Sequence, residues 1–435
     1  FRSGLPVAAQ DTYESARLLG NDLNGTARYV GMGGAMEALG ADISTIGTNP
    51  AGIGLFRHST ASVSFGTVSQ QDAQKFDGLS KTNMSFDQVG FVYSTRIAER
   101  SYINYGFNYH KSRNFDQILS AANRLRDVSS NALTYNKAAR GSVNSGGYDL
   151  DFNQQGDLVG WESGSSDYRA QTYSTLDYLN ANAVLLDADY ENLMKQGEPY
   201  IFDLASDGFN FDRAHRGWIG DFDFNISGNS NDMFFWGITI GIKDVHYKGY
   251  TEYSESMVNS NYQDAGVISY GDDRKITGTG YSVTGGIIVR PVESSPFRIG
   301  LSIATPTFYD LKTTNITDIV NGSDYGCYDN GSDDEVYEFK LFTPWKFGLS
   351  LGHTVGTELA LGASYEYADC GASDTRINDG WDDYGNEDSY SDSEMKRNTE
   401  YALKGMHTLK LGAELKPAPQ LAVRLGYNYV SPMYD

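Results

Sequence analysis

The dominant pattern along the chain is a period-two alternation of apolar and polar residues that recurs from about residue 60 to the end. Between residues 234 and 242, for example, Phe234, Trp236, Ile238 and Ile240 alternate with smaller or more polar residues. Successive side chains of a strand point to opposite faces, so each such segment has one apolar face. The pattern predicts eleven strands, around residues 60–65, 89–93, 103–107, 218–226, 234–242, 281–289, 297–303, 345–351, 359–365, 409–415 and 421–427.

The connections between these strands alternate between short and long, which separates a membrane barrel from a soluble sandwich. Short turns are predicted at about 98–101, 228–232, 292–296, 354–358 and 416–420. Long loops are predicted at about 70–83, 113–212, 250–270, 313–335 and 368–398. Short periplasmic turns and long outer loops are typical of outer-membrane barrels. The fold class predicted is therefore all-β, a transmembrane antiparallel up-and-down β-barrel.

Aromatic residues collect where the outward-running strands end, as expected for the ring of aromatic side chains at the membrane interface. The predicted members of this outer girdle are Tyr105, Phe107, Tyr109, Phe308, Tyr309, Tyr365, Tyr367, Tyr427 and Tyr429.

The composition narrows the classes of function. The chain has 435 residues, with 34 basic against 56 acidic residues and a net charge of −22, which argues against a nucleic-acid partner. The His and Cys residues show no metal or haem spacing, so we expect no cofactor, no metal and no enzymatic activity. For the acidic segment 318–335 we expect a solvated loop, with Ca²⁺ collection as the alternative.

The first 57 residues lie outside the strand pattern. Residues 1–9 resemble the end of a signal peptide, with small residues before Gln10. Residues 10–57 are expected to form a plug inside the barrel at 58–435, with a short helix at 15–23.

The outer loop 113–212 carries helix-like apolar spacing at 115–126 and at 173–186. The eleventh strand ends near the last residue, whereas closed single-chain barrels have an even strand number. We therefore expect a truncated chain with three further strands, fourteen in all.

Two motifs mark the plug. Gly31-Met32-Gly33-Gly34-Ala35 lacks the third glycine of dinucleotide sites and the Lys-Ser/Thr of phosphate loops, so we expect close backbone packing at Gly31, Gly33 and Gly34. Asn49-Pro50-Ala51-Gly52 is a turn signal. Together with the strand segments 343–349 and 409–414, these motifs resemble the FadL/TodX-type outer-membrane transport family.

That resemblance implies a fourteen-stranded monomeric barrel, plugged by its N-terminal segment, in the outer membrane of a Gram-negative bacterium. It implies passive, plug-gated uptake of hydrophobic compounds such as long-chain fatty acids, with outer-membrane lipids as further partners. Asn49, Pro50, Ala51 and Gly52 would form the lumenal turn of the plug. The alternatives are a secretion-shuttle barrel that binds exported proteins on its outer loops and a general porin.

The two cysteines, Cys327 and Cys370, both fall in predicted outer loops that flank the same hairpin. A disulfide between them requires their Cα atoms to approach within about 7 Å. The sequence leaves a disulfide and two free thiols equally open.

Overall fold

The protein was analysed as a computed structural model that describes residues 12–76, 79–139, 148–152, 158–162, 175–185, 190–196, 202–323, 330–381, 387–418 and 420–434. The predicted signal-peptide remnant at 1–9 and Cys327 lie outside these residues. The described chain forms one large antiparallel sheet, curled around the N-terminal segment, and a separate small hairpin.

The strands account for most of the described residues. In chain order they are β1 (Thr60–Ser69), β2 (Thr82–Ala98), β3 (Ser101–Asn114), β4 (Gln117–Val128), β5 (Tyr148–Phe152), β6 (Leu158–Glu162), β7 (Ala205–Ser230), β8 (Phe234–Val258), β9 (Asp264–Val289), β10 (Arg298–Ala304), β11 (Phe308–Ser323), β12 (Asn330–Phe342), β13 (Lys346–Val355), β14 (Leu359–Asp369), β15 (Asp374–Trp381), β16 (Glu387–Ser391), β17 (Gly405–Ala418) and β18 (Leu421–Val430).

Eleven strands follow one another around the barrel wall, in the order β1-β2-β3-β7-β8-β9-β10-β13-β14-β17-β18. Each pairs antiparallel with the next, which confirms the fold class and the eleven predicted strands. Within the described residues, no pairing joins β1 to β18.

Several strands run far beyond the predicted ends. β7 and β9 have 26 residues each, or roughly 85 Å of extended chain. β4 continues the line of β3 along β7, and β11 continues the line of β10 along β9. The loops predicted at 250–270 and 313–335 are therefore largely strand, and this part of the prediction was wrong. The helix predicted at 115–126 was also wrong, because β4 occupies most of it.

The helices are short. They are α1 (Thr12–Arg17), α2 (Ala27–Gly31), α3 (Ser130–Ala139), α4 (Thr175–Asn180), α5 (Tyr190–Gln196) and α6 (Ser393–Ala402), with 3₁₀ turns at Ile43–Gly47, Pro50–Leu55 and Cys370–Ala372 and a π-helical turn at Ala181–Leu185. Helix α4 and the π-helical turn fall within the helical segment predicted at 173–186. In the described parts of the chain, no helix has the length and apolar character needed to cross a membrane.

The two faces of the wall differ as the alternation predicts. Ile240 exposes 54% of its surface on the outside of β8, whereas Thr239, the residue before it, exposes 2% on the inside. We call the outward rows of exposed apolar side chains, which include Ile238 and Phe224, the apolar belt. One exception is Tyr309, predicted in the girdle, which points inward and is buried.

A row of aromatic side chains bounds the apolar belt on the side of the long strand extensions. Its members are direct cross-strand neighbours on six adjacent strands, interrupted once by an isoleucine, and we call them the aromatic row: Tyr109, Phe222, Ile242, Tyr281, Phe308 and Phe342. Neighbouring rings touch at both ends of the row, with centroids 4.9 Å apart for Tyr109–Phe222 and for Phe308–Phe342. The row lies where a membrane barrel carries an interfacial girdle.

Candidate functional site: the plug segment and the lumen

The N-terminal residues 12–57, which we call the plug segment, pack against the inner face of the wall. Its 3₁₀ turn at Pro50–Leu55 contacts β7, β8 and β9, and α2 contacts β18. Thr26 caps α2 by accepting a hydrogen bond from the backbone N–H of Tyr29. Local capping and contacts with opposite parts of the wall together hold the segment across the lumen.

Two of the three glycines predicted to pack closely require the absence of a side chain. Gly33 and Gly34 have φ of +64° and +80°, a region that side chains rarely adopt. A Cβ on Gly33 would also lie 2.6 Å from the backbone N of Tyr427. Gly31 is less constrained, because its Cβ would meet the flexible side chain of Arg424 at 3.2 Å.

The wall contributes its own glycines to this contact. Gly352, Gly362, Gly412 and Gly426 are successive cross-strand partners on β13, β14, β17 and β18, and we call them the glycine row. A Cβ on Gly362 would lie 2.0 Å from the carbonyl oxygen of Ala35. Together these glycines form a shallow groove in which the backbone of the plug segment lies directly on the wall.

Filling this groove should displace the plug segment. We expect Gly362→Ala to destabilise its seating by about 1–3 kcal/mol, the usual cost of overpacking. Current through single molecules in a planar bilayer and protease cleavage within residues 12–57 should both increase. Gly285→Ala is the matched control, because the nearest atom to its Cβ is 4.0 Å away. Equal current from the two variants would contradict the role of the groove.

The Asn-Pro-Ala motif forms the turn that its sequence predicts. The Oδ1 of Asn49 accepts a hydrogen bond from the backbone N–H of Ala51 at 3.2 Å, and Pro50 begins the 3₁₀ turn. All four residues, Asn49 to Gly52, are buried. The inner face opposite them again lacks side chains, since a Cβ on Gly286 would lie 2.1 Å from Asn49 Oδ1.

Two ionic contacts tie the plug segment to the wall. Lys410 Nζ lies 2.8 Å from Glu37 Oε1, and the hydroxyl of Ser364 donates to the other oxygen of the same carboxylate. Arg28 contacts Glu414 at 3.1 Å. Only the Glu37–Lys410 pair is buried on both sides, so each of its charges depends on the other.

A cavity of about 140 Å³ remains inside the barrel beside the plug segment. Its charged lining residues are Asp22, Asp221, Asp223, Lys243, Lys346, Glu366 and Lys410, and His110 also lines it. Asp221 accepts hydrogen bonds from Lys243 and from Ser112. The lining is mostly polar and the volume is below the roughly 300–1,000 Å³ of typical ligand pockets.

The interior becomes apolar immediately beyond the charged lining, on the side of the long strand extensions. The inward residues at this level are buried, and we call them the apolar collar: Ile219, Val245, Ile276, Leu311, Phe339 and Leu341. The same cluster includes Ala16, Leu18 and Leu19 of the plug segment, which are at most 4% exposed. The protein's own N-terminal side chains therefore fill an apolar ring that the wall provides.

Polar contacts hold α1 within this ring. Glu14 pairs with Arg274, and Arg17 donates to the hydroxyl of Tyr247 at 2.8 Å. The Nδ1 of His215, which lies beyond the aromatic row, is 2.6 Å from the same hydroxyl. Burial, assisted by the nearby positive charge of Arg17, lowers the pKa of His215 to about 4, so its imidazole is neutral at neutral pH.

Cys370 is buried in its 3₁₀ turn, and burial raises the pKa of its thiol to about 11. Cys327 is not among the described residues, so a disulfide and two free thiols both stay open, as the sequence leaves them. Among the residues that the structure describes, no group of His, Cys and acidic side chains is arranged to hold a metal ion.

The sequence patterns did not reveal the collar or the charged cavity. The sequence does contain a signal for both, at the positions that face inward. Asp221 and Asp223 are successive inward residues on one strand, and Lys243 and Val245 are successive inward residues on the next. The pairing register brings Asp221 opposite Lys243 and Ile219 opposite Val245. Without that register, the polar and apolar levels of the lumen could not be distinguished.

Comparisons with known proteins gave matches only among solved structures. No family model matches the chain. No curated protein matches it either. The similar structures include the toluene transporter TbuX of Ralstonia pickettii (12% identity, 95% of this chain and 88% of that chain, TM-score 0.48), the toluene transporter TodX of Pseudomonas putida (10%, 95% and 85%, 0.44) and a FadL homologue of Pseudomonas aeruginosa (12%, 96% and 82%, 0.49).

Proposed function

We propose that this protein is an outer-membrane channel of a Gram-negative bacterium that takes up hydrophobic compounds when its plug segment moves. The observation that carries the proposal is the apolar collar occupied by Leu18 and Leu19. A barrel that only conducts ions has no use for a ring of buried Leu, Ile, Val and Phe side chains in its lumen. A binding place for apolar cargo, closed by the chain's own apolar residues, accounts for it.

The outer face supports a position in a membrane. Exposed apolar side chains such as Phe224, Ile238 and Ile240 form the belt, and the aromatic row ends it. Large exposed apolar surfaces are rare in soluble proteins and mark contact with another apolar phase. The alternation of apolar outward and polar inward residues is that of a barrel in lipid.

The lumen has an apolar level, the collar, next to a charged level, the cavity. This sequence of levels favours cargo with an apolar chain and a polar end, and long-chain fatty acids have both. An alkyl chain could replace Leu18 and Leu19 in the collar. Its carboxylate would then reach the charged cavity, where Lys346 and Lys243 lie. The cavity of about 140 Å³ is too small for the whole molecule, so passage requires the plug segment to shift. We take passage to be passive, driven by the cargo gradient.

A charged substitution in the collar tests this function. We expect Leu341→Asp to lower the uptake of radiolabelled oleate by cells at least about tenfold, because a carboxylate in an apolar site strongly disfavours an alkyl chain. Leu341→Met, which preserves the volume and apolar character, should take up oleate like the wild type. Heat-modified migration on gels verifies that both variants are folded. Unchanged uptake by a folded Leu341→Asp protein would refute the proposal.

A secretion-shuttle function is the second candidate, and the outer lobe favours it. Beyond the collar, α4 and the π-helical turn pack on a separate apolar core that includes Leu179, Val184, Met257 and Ile268. Such a lobe offers a folded surface for an exported protein. Capture of exported proteins by cells that show no oleate uptake would select this function instead.

A further inference from the structure

Three basic residues stand side by side on the outer face of the wall. Arg216, Lys248 and Lys275 belong to β7, β8 and β9, and Lys248 is the direct cross-strand partner of both others. Directly opposed side chains on one face have their Cβ atoms about 4.5–5.5 Å apart. We call these three residues the basic row.

The basic row is poorly neutralised by the protein. Like charges placed opposite each other destabilise a strand pair. In the described chain, neither Lys248 nor Lys275 has a carboxylate within ion-pair distance, and both are exposed. Arg216 has one carboxylate, Asp116, at 4.0 Å. Such clustering in a chain of net charge −22 indicates an external anion.

The position of the basic row relative to the apolar belt is the same on all three strands. Arg216, Lys248 and Lys275 each lie six residues beyond the aromatic row, whose members on these strands are Phe222, Ile242 and Tyr281. Six residues span roughly 20 Å along a strand. Because the strands of such barrels tilt by about 35–45°, the basic row lies roughly 15 Å above the aromatic row, on the polar side of the hydrocarbon boundary.

The surroundings of the basic row carry charges of both signs. Lys312 lies on the neighbouring strand β11 and shares its charge with Glu338 at 3.3 Å. Asp244, below Lys248, is engaged by His246 at 2.8 Å. Farther out the face becomes acidic, with Glu252 and neighbouring carboxylates. The basic row is therefore a limited patch rather than part of a general positive surface.

We propose that the basic row docks the phosphate groups of a phosphorylated glycolipid of the outer leaflet, that is, of lipopolysaccharide. The inference rests on the membrane position in the proposed function. Guanidinium and ammonium groups bind phosphate oxygens through charge-assisted hydrogen bonds. The aromatic row below would contact the acyl chains while the basic row contacts the phosphates, so one molecule satisfies both.

Binding of lipopolysaccharide to the detergent-purified full chain tests the proposal. The variant is Lys248→Gln/Lys275→Gln, and the matched control is Lys75→Gln/Lys396→Gln, which removes the same charge from two exposed lysines elsewhere. We expect the first variant to weaken binding of fluorescent lipopolysaccharide at least about tenfold, because each basic residue near an anionic surface contributes substantially. The control should bind like the wild type.

Two further ligands identify the source of the phosphate. Enzymatically dephosphorylated lipopolysaccharide should bind the wild type as weakly as intact lipopolysaccharide binds the double variant, and millimolar inorganic phosphate should not compete. Equal binding by wild type and double variant, or full competition by inorganic phosphate, would overturn the proposal. Oleate uptake measured on the same variant separates this outcome from the first proposal, because it should stay at the wild-type level whether or not lipopolysaccharide docks.

Discussion

Lys410→Met should release the plug segment and turn a closed barrel into a conducting one. Removing one partner of a buried ion pair costs about 3–5 kcal/mol, because the remaining charge stays in a dry site without compensation. Glu37 would be that charge, since its side chain is only 7% exposed. If the whole free-energy cost destabilises the seated plug segment relative to the released one, the ratio of seated to released molecules drops by roughly two to four powers of ten.

Planar-bilayer recordings measure this effect directly, as the fraction of time that each molecule conducts. The double variant Glu37→Gln/Lys410→Met is the control, because it leaves no uncompensated charge at the contact and should conduct far less than Lys410→Met alone. A Lys410→Met protein that stays as closed as the wild type would show that the Glu37–Lys410 contact does not hold the plug segment.

The sequence predicted the membrane-facing half of this architecture well. Alternation is detectable where one face meets an apolar phase and the other does not, as in the rows around Phe224 and Ile240. The turns between strands could be placed because the apolar pattern stops at them. The short connection at 356–358 lies inside its predicted range of 354–358, and the connection at 231–233 overlaps its predicted range of 228–232.

Beyond the aromatic row the same method failed for a physical reason. There the inner and the outer face of the sheet both meet polar surroundings. Strand positions such as Lys248, Glu252 and Asp273 therefore show no alternation of apolar and polar residues, and the pattern predicts a loop. Residues 115–126 were predicted as helix because Phe115, Ile118 and Leu119 are spaced like one helical face. In the structure Phe115 lies at the break between β3 and β4, and Ile118 lies in β4.

The contact between plug and wall illustrates a second limit. The sequence drew attention to Gly33 and Gly34, but not to Gly362 or Gly412, which are ordinary members of alternating strands. Their role depends on cross-strand register, which aligns them into one groove. Register is fixed by tertiary pairing and cannot be deduced from a single strand.

Ile240→Arg should destabilise the barrel by about 2–4 kcal/mol, because it places a charge on the lipid face inside the apolar belt. The free energy of unfolding in urea, measured for the protein in lipid vesicles, is the quantity to compare. The loss of stability should come from placing the charge in hydrocarbon and not from lost packing within the protein, because Ile240 is 54% exposed on the outer face.

Depth along one strand supplies the control. His246→Arg changes the same outward face of β8 six residues away, beyond the aromatic row, where His246 is exposed and contacts Asp244. A charge there lies in the polar zone, so we expect a change of at most about 1 kcal/mol. Thr239→Arg is unsuitable as a comparison, because the hydroxyl of Thr239 donates to the carbonyl of Ile46 in the plug segment. If Ile240→Arg and His246→Arg cost the same, the hydrocarbon boundary does not lie at the aromatic row, and the placement of the basic row outside the hydrocarbon would fall with it.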